Sequence, residues 1–444
     1  MASFGQIINR SFKRTISSLR RVFLYEQNLS KPKKPEKDKI LMFGWELPPF
    51  NSGGLGVACF ELARTLADRG VDITFVLPRS KKISAPFVKL LFAQSGGSMK
   101  VEEVKSRLYP YARKLDSKNI TLESGEDDGR YDRELIREVK RYGKLAGKIA
   151  LKENFSVIHA HDWLSFPAGL EAKKVSGKPL VVHVHATEYD RSGENVDPQV
   201  FEIEKAGLQK ADHIIAVSNL TKKTLIKYYG VKSGVITVAH NGINKKESPK
   251  SLEKMFEPFK KSGHKVVLFL GRLTMQKGPD YFLKAAQKVA QIYPKTIFVV
   301  AGTGDMERRI IEQGADLGIS DKVFFTGFVK DESLDKIYSS SDLFVMPSVS
   351  EPFGIVALEA IANKTPTIIS KQSGASEVLS HTLKVDFWDT DEMANKICAV
   401  LNNPSLSRCL KEHGQIEAEK NSWDNTAQKC LGVYHDLPKV IRKA

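Results

Sequence analysis

Short apolar runs alternate with amphipathic runs along most of this chain, beginning at Lys39. Each apolar run is nearly continuous, which is the pattern of a parallel strand buried on both faces. The amphipathic runs between them are suited to helices that cover such a sheet. We therefore predict an α/β protein with strands at 40–45, 71–78, 156–161, 179–185, 213–218, 235–239, 266–270, 296–301, 323–325, 343–346 and 367–369.

The alternation occurs twice, and a polar stretch at 245–264 separates the two halves. The length favours two domains of about 200 residues each over one core. Because ligands bind beyond the carboxyl ends of parallel strands, two doubly wound domains in series imply a cleft between them. We assign residues 39–245 to a first Rossmann-like domain, 246–415 to a second and 416–444 to a terminal helix. Residues 83–130 are less regular, with a weak hairpin signal around Ile120.

Residues 1–38 form a basic extension before the first strand. Within residues 1–24, apolar positions recur at steps of three and four with Arg and Lys between them, which predicts a basic amphipathic helix. Three interpretations stay open: the helix lies on an anionic membrane surface, it is a transit peptide, or it packs on the body of the protein. Residues 31–37 are rich in Pro and Lys and predict a linker.

The composition, with 41% hydrophobic and 27% charged residues, is typical of a soluble globular protein. No run approaches the roughly 20 apolar residues of a spanning helix, so we expect a cytoplasmic protein whose membrane contact is at most peripheral. The four cysteines lack metal-ligand spacing and are interpreted as small buried residues in a reducing compartment. The net charge is +16, and residues 1–39 supply +7 of it as ten basic less three acidic residues. This surplus suits a phosphate-bearing substrate, a nucleic acid or an anionic lipid, and composition does not choose among them.

The stretch 347–360 concentrates the candidate chemistry, because it joins the strand at 343–346 to a helix. Glu351 lies before that helix, and Glu359 lies about two turns further along. The free amides at the helix N-terminus can bind a diphosphate or a sugar hydroxyl, and Glu359 can accept from a vicinal diol. Taken alone, the pattern favours a capped helix with one surface Glu and one half-buried Glu. The amides in question are those of Phe353, Gly354 and Ile355.

This stretch resembles the signature of the retaining glycosyltransferases with two facing Rossmann domains. That group, with the GT-B fold, includes the glycogen and starch synthases and sucrose-phosphate synthase. The resemblance extends from about Lys39 to the last helix. It implies that Glu351 touches the transferred sugar, that Glu359 holds the nucleotide ribose, and that the terminal helix crosses back to the first domain.

A basic loop directly follows the strand at 266–270 and carries Arg272 and Lys277, five positions apart. A planar guanidinium and an ammonium on one short loop can both reach one diphosphate and offset the negative charge of a leaving group. A solvated basic turn is the alternative. The loop resembles the phosphate-binding Arg and Lys of the family, and we expect no metal in the site.

Two glycine turns are candidates for contacts with the nucleotide. The turn at 301–305 contains Gly302, and such a turn often only makes a tight connection. In the resembled family this turn and the one at 327–329 flank the nucleotide, which implies backbone contacts from Gly302 and Val329.

The turn before the first helix contains Gly53 and Gly54, whose backbone amides can approach a ligand closely. It resembles the glycine loop of the starch and bacterial glycogen synthases, which closes over the sugar and the diphosphate. Those synthases carry a Lys two positions before the glycine pair, where this chain has Asn51. Asn51 supplies no positive charge, which argues against a strict glucan-synthase identity.

Histidines end two strands of the first half. His161 ends one strand and resembles the family histidine near the transferred sugar; a satisfied core histidine is the alternative. His185 ends the next strand and is followed by Glu188, and we expect both to contact the acceptor or the sugar. For Asp190 and Arg191 a loop ion pair is an equally good interpretation as a cleft contact. For Ser218 a helix cap is the better one.

Together these residues predict a retaining hexosyltransferase that moves glucose from a UDP- or ADP-linked sugar to a glucan, sugar or lipid acceptor. The expected partners are the nucleotide sugar and the carbohydrate acceptor, with no cofactor and no nucleic acid. Two alternatives stay open: a non-catalytic nucleotide-sugar-binding protein, and a phosphorylase of similar fold, which would hold pyridoxal phosphate on a lysine.

Overall fold

The computed structural model describes residues 38–49, 53–79, 83–93, 133–244, 256–329 and 331–437. Within them the first half forms one sheet of seven parallel strands, in the order β3-β2-β1-β4-β5-β6-β7. These strands are β1 (Lys39–Phe43), β2 (Asp72–Leu77), β3 (Lys89–Phe92), β4 (Val157–His161), β5 (Leu180–Val184), β6 (His213–Ala216) and β7 (Ile236–Val238).

The helices of the first half connect these strands and cover both faces of the sheet. They are α1 (Gly54–Asp68), α2 (Arg133–Ala150), α3 (Asp162–Ser176), α4 (Glu188–Ser192), α5 (Pro198–Lys210) and α6 (Asn219–Tyr229). On one face Leu41 and Ile158 pack in a core with side chains of α2 and α3. On the other face Ile40 and Val157 pack in a second core with side chains of α1.

The second half forms a six-stranded parallel sheet in the order β10-β9-β8-β11-β12-β13. Its strands are β8 (Lys265–Leu270), β9 (Thr296–Ala301), β10 (Val323–Gly327), β11 (Leu343–Met346), β12 (Thr367–Ser370) and β13 (Leu383–Val385). Its helices are α7 (Glu257–Lys261), α8 (Pro279–Ile292), α9 (Glu307–Asp316), α10 (Asp331–Ser340), α11 (Ile355–Ala362), α12 (Thr390–Asn402) and α13 (Pro404–Lys420). Here too a core lies on each face of the sheet.

The last helix, α14 (Trp423–Asp436), belongs to the packing of the first domain. Its residues Trp423, Ala427 and Cys430 are buried in the same core as Leu62 of α1. The chain therefore returns to the first sheet after completing the second, which ties the two halves together.

In each sheet the strand order reverses once, between β1 and β4 in the first and between β8 and β11 in the second. The loops that leave neighbouring strands at such a reversal run to opposite faces and open a crevice at the carboxyl ends. The predicted fold, two Rossmann-like α/β domains, is confirmed.

The structure adds details that the sequence pattern lacked. Strands β3 and β13 were not predicted, because β3 is only partly buried and β13 is three residues long. Helix α1 begins at Gly54, so the second glycine of the predicted turn already belongs to the helix. The hairpin around Ile120, the helix at 1–24, the linker at 31–37 and Asn51 lie outside the described residues.

The prediction that all cysteines are buried is wrong for two of them. Cys59 and Cys430 are buried, but Cys398 is partly exposed and Cys409 is exposed, since each lies on a helix face that borders solvent. No helix among the described residues combines the length and the apolarity that crossing a bilayer requires.

Candidate active site

Lys277 and Glu351 meet at the carboxyl ends of two hydrogen-bonded strands. Lys277 ends a 3-10 turn (Met275–Lys277) after β8, and Glu351 follows β11, which pairs with β8. Lys277 Nζ donates to Glu351 Oε2 at 2.6 Å, and Ser348 Oγ donates to the same oxygen at 3.1 Å. The Lys277 side chain is 20% exposed and that of Glu351 is 7% exposed. The ammonium is therefore held by a carboxylate while it still reaches solvent.

The backbone around Glu351 is fixed by hydrogen bonds to a neighbouring loop. The Glu351 amide donates to the Gln372 carbonyl at 2.9 Å, and the Gly374 amide donates to the Glu351 carbonyl at 2.9 Å. Gly354 then caps α11 with φ of 101°, and a Cβ there would lie 2.9 Å from Met346 Cε. Only glycine fits this turn without displacing neighbours. The amides of Phe353 and Ile355 lie on either side of it, at the helix start.

Glu359 lies on α11, where it accepts a hydrogen bond from Tyr338 Oη at 3.0 Å. Tyr338 is fully buried, and burial followed by the charge of Glu359 raises the pKa of its phenol. The phenol therefore stays a donor at neutral pH and orients the carboxylate. The sequence analysis assigned Tyr338 no role, because its contact with Glu359 joins two different helices.

Arg272 faces the glycine turn of the first domain. A Cβ built on Gly53 would lie 3.9 Å from Arg272 Nε, so the turn before α1 and the loop after β8 adjoin across the domain boundary. Gly54 begins α1, with its first-turn amides next to this contact. The structure thus brings together the predicted diphosphate and sugar contacts from both domains.

Gly302 is required where the loops after β8 and β9 touch. Its φ is 138°, and a Cβ on it would lie 1.9 Å from the Gly271 carbonyl oxygen. Its amide donates to the Gly327 carbonyl at 2.8 Å. This close approach is a structural reason for the glycine. Val329 is partly buried against a core of the second sheet, and the nucleotide contacts of Gly302 and Val329 stay predictions.

His161 and His185 lie side by side at the ends of β4 and β5. His161 Nδ1 is 3.0 Å from His185 Nε2. Asp162 holds this arrangement, since its Oδ1 accepts from the amides of His185 at 2.6 Å and Ala186 at 3.4 Å. Burial lowers the pKa of His161 well below its usual value, and the neighbouring histidines lower it further. His161 is therefore neutral at pH 7 and can offer a hydrogen bond but no charge.

Asp162 has features that the sequence alone does not show. It takes a left-handed φ of 56°, a conformation that Asp tolerates better than most residues. Burial raises the pKa of its carboxyl to about 7, although the amides of His185 and Ala186 act in the other direction. We interpret it as the residue that positions the His185 segment.

The expectation that Glu188 contacts the acceptor or the sugar is wrong. Glu188 is fully buried, and its carboxylate accepts from Arg191 Nε at 3.0 Å and from Ser192 Oγ at 2.6 Å. Arg191 also donates to Glu204 Oε1 at 2.6 Å. The alternative interpretation, a loop ion pair between Asp190 and Arg191, is also wrong. Arg191 instead turns inward and pairs with the carboxylates of Glu188 and Glu204. The segment after β5 forms a short helix, which rotates Glu188 away from the cleft.

Two family descriptions match this chain in succession. "Glycosyltransferase Family 4" matches residues 52–247, and "Glycosyl transferases group 1" matches residues 251–417. An uncharacterised glycosyltransferase of Methanocaldococcus jannaschii is 31% identical over 417 residues, which cover 89% of this chain and 97% of that protein. The chain belongs to this glycosyltransferase family.

Other relatives of this glycosyltransferase agree with the assignment. The glycogen synthase of Mycobacterium tuberculosis is 28% identical over 404 residues, covering 89% of this chain and 94% of the relative. Among solved structures, sucrose-phosphate synthase from Thermosynechococcus elongatus has a TM-score of 0.72 at 21% identity and covers 90% and 98% of the two chains. HepE of Anabaena, solved in complex with UDP-glucose, has a TM-score of 0.67 at 19% identity and covers 90% and 100%. These likenesses show the GT-B fold.

One hydrogen bond joins the two domains of the glycosyltransferase next to Glu351. Ser350 Oγ donates to Asp190 Oδ1 at 2.7 Å. The other oxygen of Asp190 accepts from the amide and hydroxyl of Thr187 at 2.8 and 2.7 Å, which closes a capping box on α4. The capping box is visible in the sequence, but the partner Ser350, 160 positions away, is not.

A second junction lies at the start of α6. Glu377 accepts from the amides of Asn219 at 2.9 Å and Leu220 at 2.8 Å, and from His240 Nε2 at 2.9 Å. Burial acts to raise its pKa, but the hydrogen bonds from His240 and the two amides outweigh burial and lower the pKa to about 2. Ser218 caps the same helix by accepting from the Thr221 amide, so its interpretation as a helix cap is confirmed.

Proposed function

We propose that this glycosyltransferase moves a hexose, glucose, from a nucleotide diphosphate sugar to an acceptor hydroxyl with retention of the anomeric configuration. The observation that carries the proposal is the pairing of Lys277 Nζ with Glu351 at 2.6 Å, on the domain whose Arg272 faces Gly53. Two cations and a carboxylate thereby border the junction of the two domains. A diphosphate and the sugar attached to it need this combination.

The cations act on the leaving group. As the bond to the anomeric carbon breaks, negative charge grows on the diphosphate oxygens. Arg272 supplies a planar fork of donors and Lys277 supplies a point charge, and fixed charges of this kind stabilise a transition state without reorganisation. In the described structure Glu351 already holds Lys277, which places the ammonium before the donor arrives.

The remaining site residues orient the sugar and the nucleotide. Glu351 keeps acceptor capacity for a sugar hydroxyl, since a carboxylate has about four lone-pair sites. His161 is neutral at pH 7 and fully buried, but unlike Glu188 it keeps one polar atom, Nε2, without a partner among the described residues. With the amides of Gly53 and Gly54 it completes the sugar side. Glu359, oriented by Tyr338, accepts from the ribose hydroxyls, as an acidic residue does in other Rossmann sites.

Retention follows from a reaction on one face of the sugar ring. Retaining glycosidases instead use a carboxylate nucleophile and an acid about 5 Å apart. Two first-domain acids lie near the cleft histidines in sequence. Asp162 accepts from the amides of His185 and Ala186, and Glu188 is engaged inside the domain by Arg191 and Ser192. In the proposed reaction the acceptor hydroxyl attacks the anomeric carbon, the bond to the diphosphate breaks, and a departing phosphate oxygen takes the hydroxyl proton. The protein supplies charge and orientation.

Two relatives support the choice of glucose, and one of them supports a uridine nucleotide. HepE was solved with UDP-glucose, and the relative from M. tuberculosis is named a glycogen synthase. By extension we propose UDP- or ADP-glucose as the donor and a glucan or a small sugar as the acceptor. A lipid is the alternative acceptor, because the basic extension would hold the enzyme at a membrane. No cofactor enters this scheme.

The deciding experiment is a donor panel with purified protein. Release of UDP or ADP is measured with and without acceptor, and the anomeric configuration of the product is determined by NMR. Turnover with a product of unchanged configuration supports the proposal. An inverted product contradicts retention. Nucleotide binding without release from any donor indicates a binding protein, and pyridoxal absorbance in the purified protein indicates a phosphorylase.

The basic extension is tested by deletion of residues 1–30. We propose a cytoplasmic enzyme that contacts an anionic membrane through residues 1–24. The truncated protein should hydrolyse soluble donor at the full-length rate but lose binding to vesicles with anionic lipids. Loss of hydrolysis would show that the extension belongs to the fold instead.

A further inference from the structure

Four histidines stand together on one face of the first sheet. His159 and His161 lie on β4. His183 lies on the neighbouring strand β5, directly opposite His161, and His185 follows two residues later. Because side chains alternate along a strand, all four project from the face that carries Val157 and packs on α1 and α14. The ring centroids of His159, His161 and His183 are separated by 4.4, 5.4 and 5.3 Å.

Several nitrogens of this cluster have no hydrogen-bond partner within the described residues. They are Nε2 of His159, Nε2 of His161 and both ring nitrogens of His183. All three residues are 0% exposed. Buried polar atoms are nearly always paired, so this concentration of unpaired nitrogens in one place requires a further group.

The hydrogen bonds that do exist orient two of the rings for a metal. His159 Nδ1 lies 2.5 Å from Tyr434 Oη, and His161 Nδ1 lies 3.0 Å from His185 Nε2. A ring whose Nδ1–H donates to such a neighbour presents the lone pair of Nε2. This is the outer-shell arrangement of histidines that bind metals.

The spacing agrees with a metal site. The candidate ligand atoms of His159, His161 and His183 all lie within 4.8 Å of one another. Tetrahedral zinc with bonds of about 2.05 Å separates its nitrogens by about 3.3 Å. The three rings are stacked with interplanar angles of 19° to 30°, so they must rotate before their nitrogens converge on one ion.

We propose that His159, His161 and His183 bind one divalent transition-metal ion, with Zn²⁺ as its representative. Neutral imidazole suits zinc, copper and nickel, and three ligands leave one position open. The alternative set of Cys59, His161 and His185 also lies within 4.8 Å. It is the poorer one, because His161 Nδ1 and His185 Nε2 already hydrogen-bond to each other at 3.0 Å.

Metal binding should inhibit the enzyme, an inference that rests on the proposed function. His161 is one of the groups assigned to the sugar, so a metal on its Nε2 removes that nitrogen from the substrate. Occupancy should therefore inhibit glycosyl transfer. The metal would act as a regulator and not as a participant, since the diphosphate side is served by Arg272 and Lys277.

The test is a zinc titration of metal-stripped protein without an affinity tag. The wild type should bind one Zn²⁺ per chain in a competition with a chromophoric chelator. His159→Gln and His183→Gln should each weaken binding by more than 100-fold, and Tyr434→Phe by roughly 10-fold, as loss of an outer-shell partner typically does. Thermal unfolding with and without zinc shows that each variant folds. The wild type and Tyr434→Phe should gain stability with zinc, and His159→Gln and His183→Gln should not.

His413→Gln is the matched control, because His413 stacks on the partly exposed His381 at 4.9 Å and could bind zinc adventitiously. The control should bind zinc as tightly as the wild type. The proposal is overturned if the wild type takes up no stoichiometric zinc, or if His413→Gln loses zinc while His159→Gln and His183→Gln keep it. Direct binding is independent of turnover, so a metal-free enzyme that transfers no sugar refutes the proposed function and leaves the metal site standing.

Discussion

Two polar segments follow buried strands in this glycosyltransferase, and the structure uses them differently. After β11, Glu351 pairs with Lys277, whose side chain is 20% exposed at the cleft. After β5, Glu188 pairs with Arg191, and their side chains are only 0% and 5% exposed. A charged residue beyond a parallel strand therefore marks a site only when the turn that follows holds its side chain at the cleft and not in the domain core.

The local backbone explains the difference. Gly354 turns the chain into α11 with a left-handed φ, and Glu351 stays in the loop before that turn. Thr187 and Asp190 instead close a capping box that starts α4 at Glu188. A helix that begins at the acid itself rotates the acid toward the core, where Arg191 and Glu204 complete a buried network.

The largest expected effect is on stability, from Arg191→Met. The substitution leaves the carboxylates of Glu188 and Glu204 buried without their cation, which should lower the free energy of unfolding by about 3–5 kcal/mol. Urea unfolding followed by circular dichroism measures it. Arg308→Met, which removes an exposed pair with Glu312, is the control and should leave the free energy of unfolding unchanged within error. A small effect of Arg191→Met would mean that the segment is not a sealed network.

The corresponding change on the cleft side should affect turnover instead. Replacing Arg272 and Lys277 together by Ala removes the charge that offsets the diphosphate, so kcat should fall at least 10²- to 10³-fold, roughly the cost of one lost transition-state donor. The unfolding temperature should fall less than that of Arg191→Met, because Lys277 is 20% exposed and Ser348 still donates to Glu351. Lys288→Ala, which removes a pair with the exposed Asp391, is the control. Unchanged turnover in the double variant would refute the assigned role.

A smaller effect is expected where the two segments meet. Ser350→Ala removes the hydrogen bond to Asp190 and should cost about 1.5–3 kcal/mol in kcat/KM, as for a hydrogen bond to a charged group. Ser339→Ala is the control, because the hydroxyl of Ser339 bonds within its own helix. Equal kinetics for the two variants would show that the contact does not position Glu351.

The smallest effect is a pH dependence at the second junction. The pKa of Glu377 is lowered from 4.5 to about 2 in the folded protein. Its contribution to stability is therefore complete above pH 4.5 and is lost as the pH falls through 2. Unfolding free energy measured between those limits should fall more steeply in the wild type than in Glu377→Gln. Parallel curves would exclude a role for this carboxylate.

Much of the fold was predictable because strand and helix patterns are local. The helix expected after the strand at 343–346 forms as α11, since strong helix formers follow the glycine that starts it. The parallel sheets followed from continuous apolar runs, which only burial on both faces explains. Strands β3 and β13 escaped prediction because short or half-exposed strands carry a weak pattern.

The sequence by itself determined the two-domain α/β architecture, the family and the residues that border the cleft on the second domain, since each depends on neighbours along the chain. Only the tertiary structure decided that Glu188 is buried, that Ser350 holds Asp190, and that Tyr338 and Tyr434 orient Glu359 and His159. These contacts join residues 21 to 275 positions apart. Their partners are chosen by packing, and no local pattern records that choice.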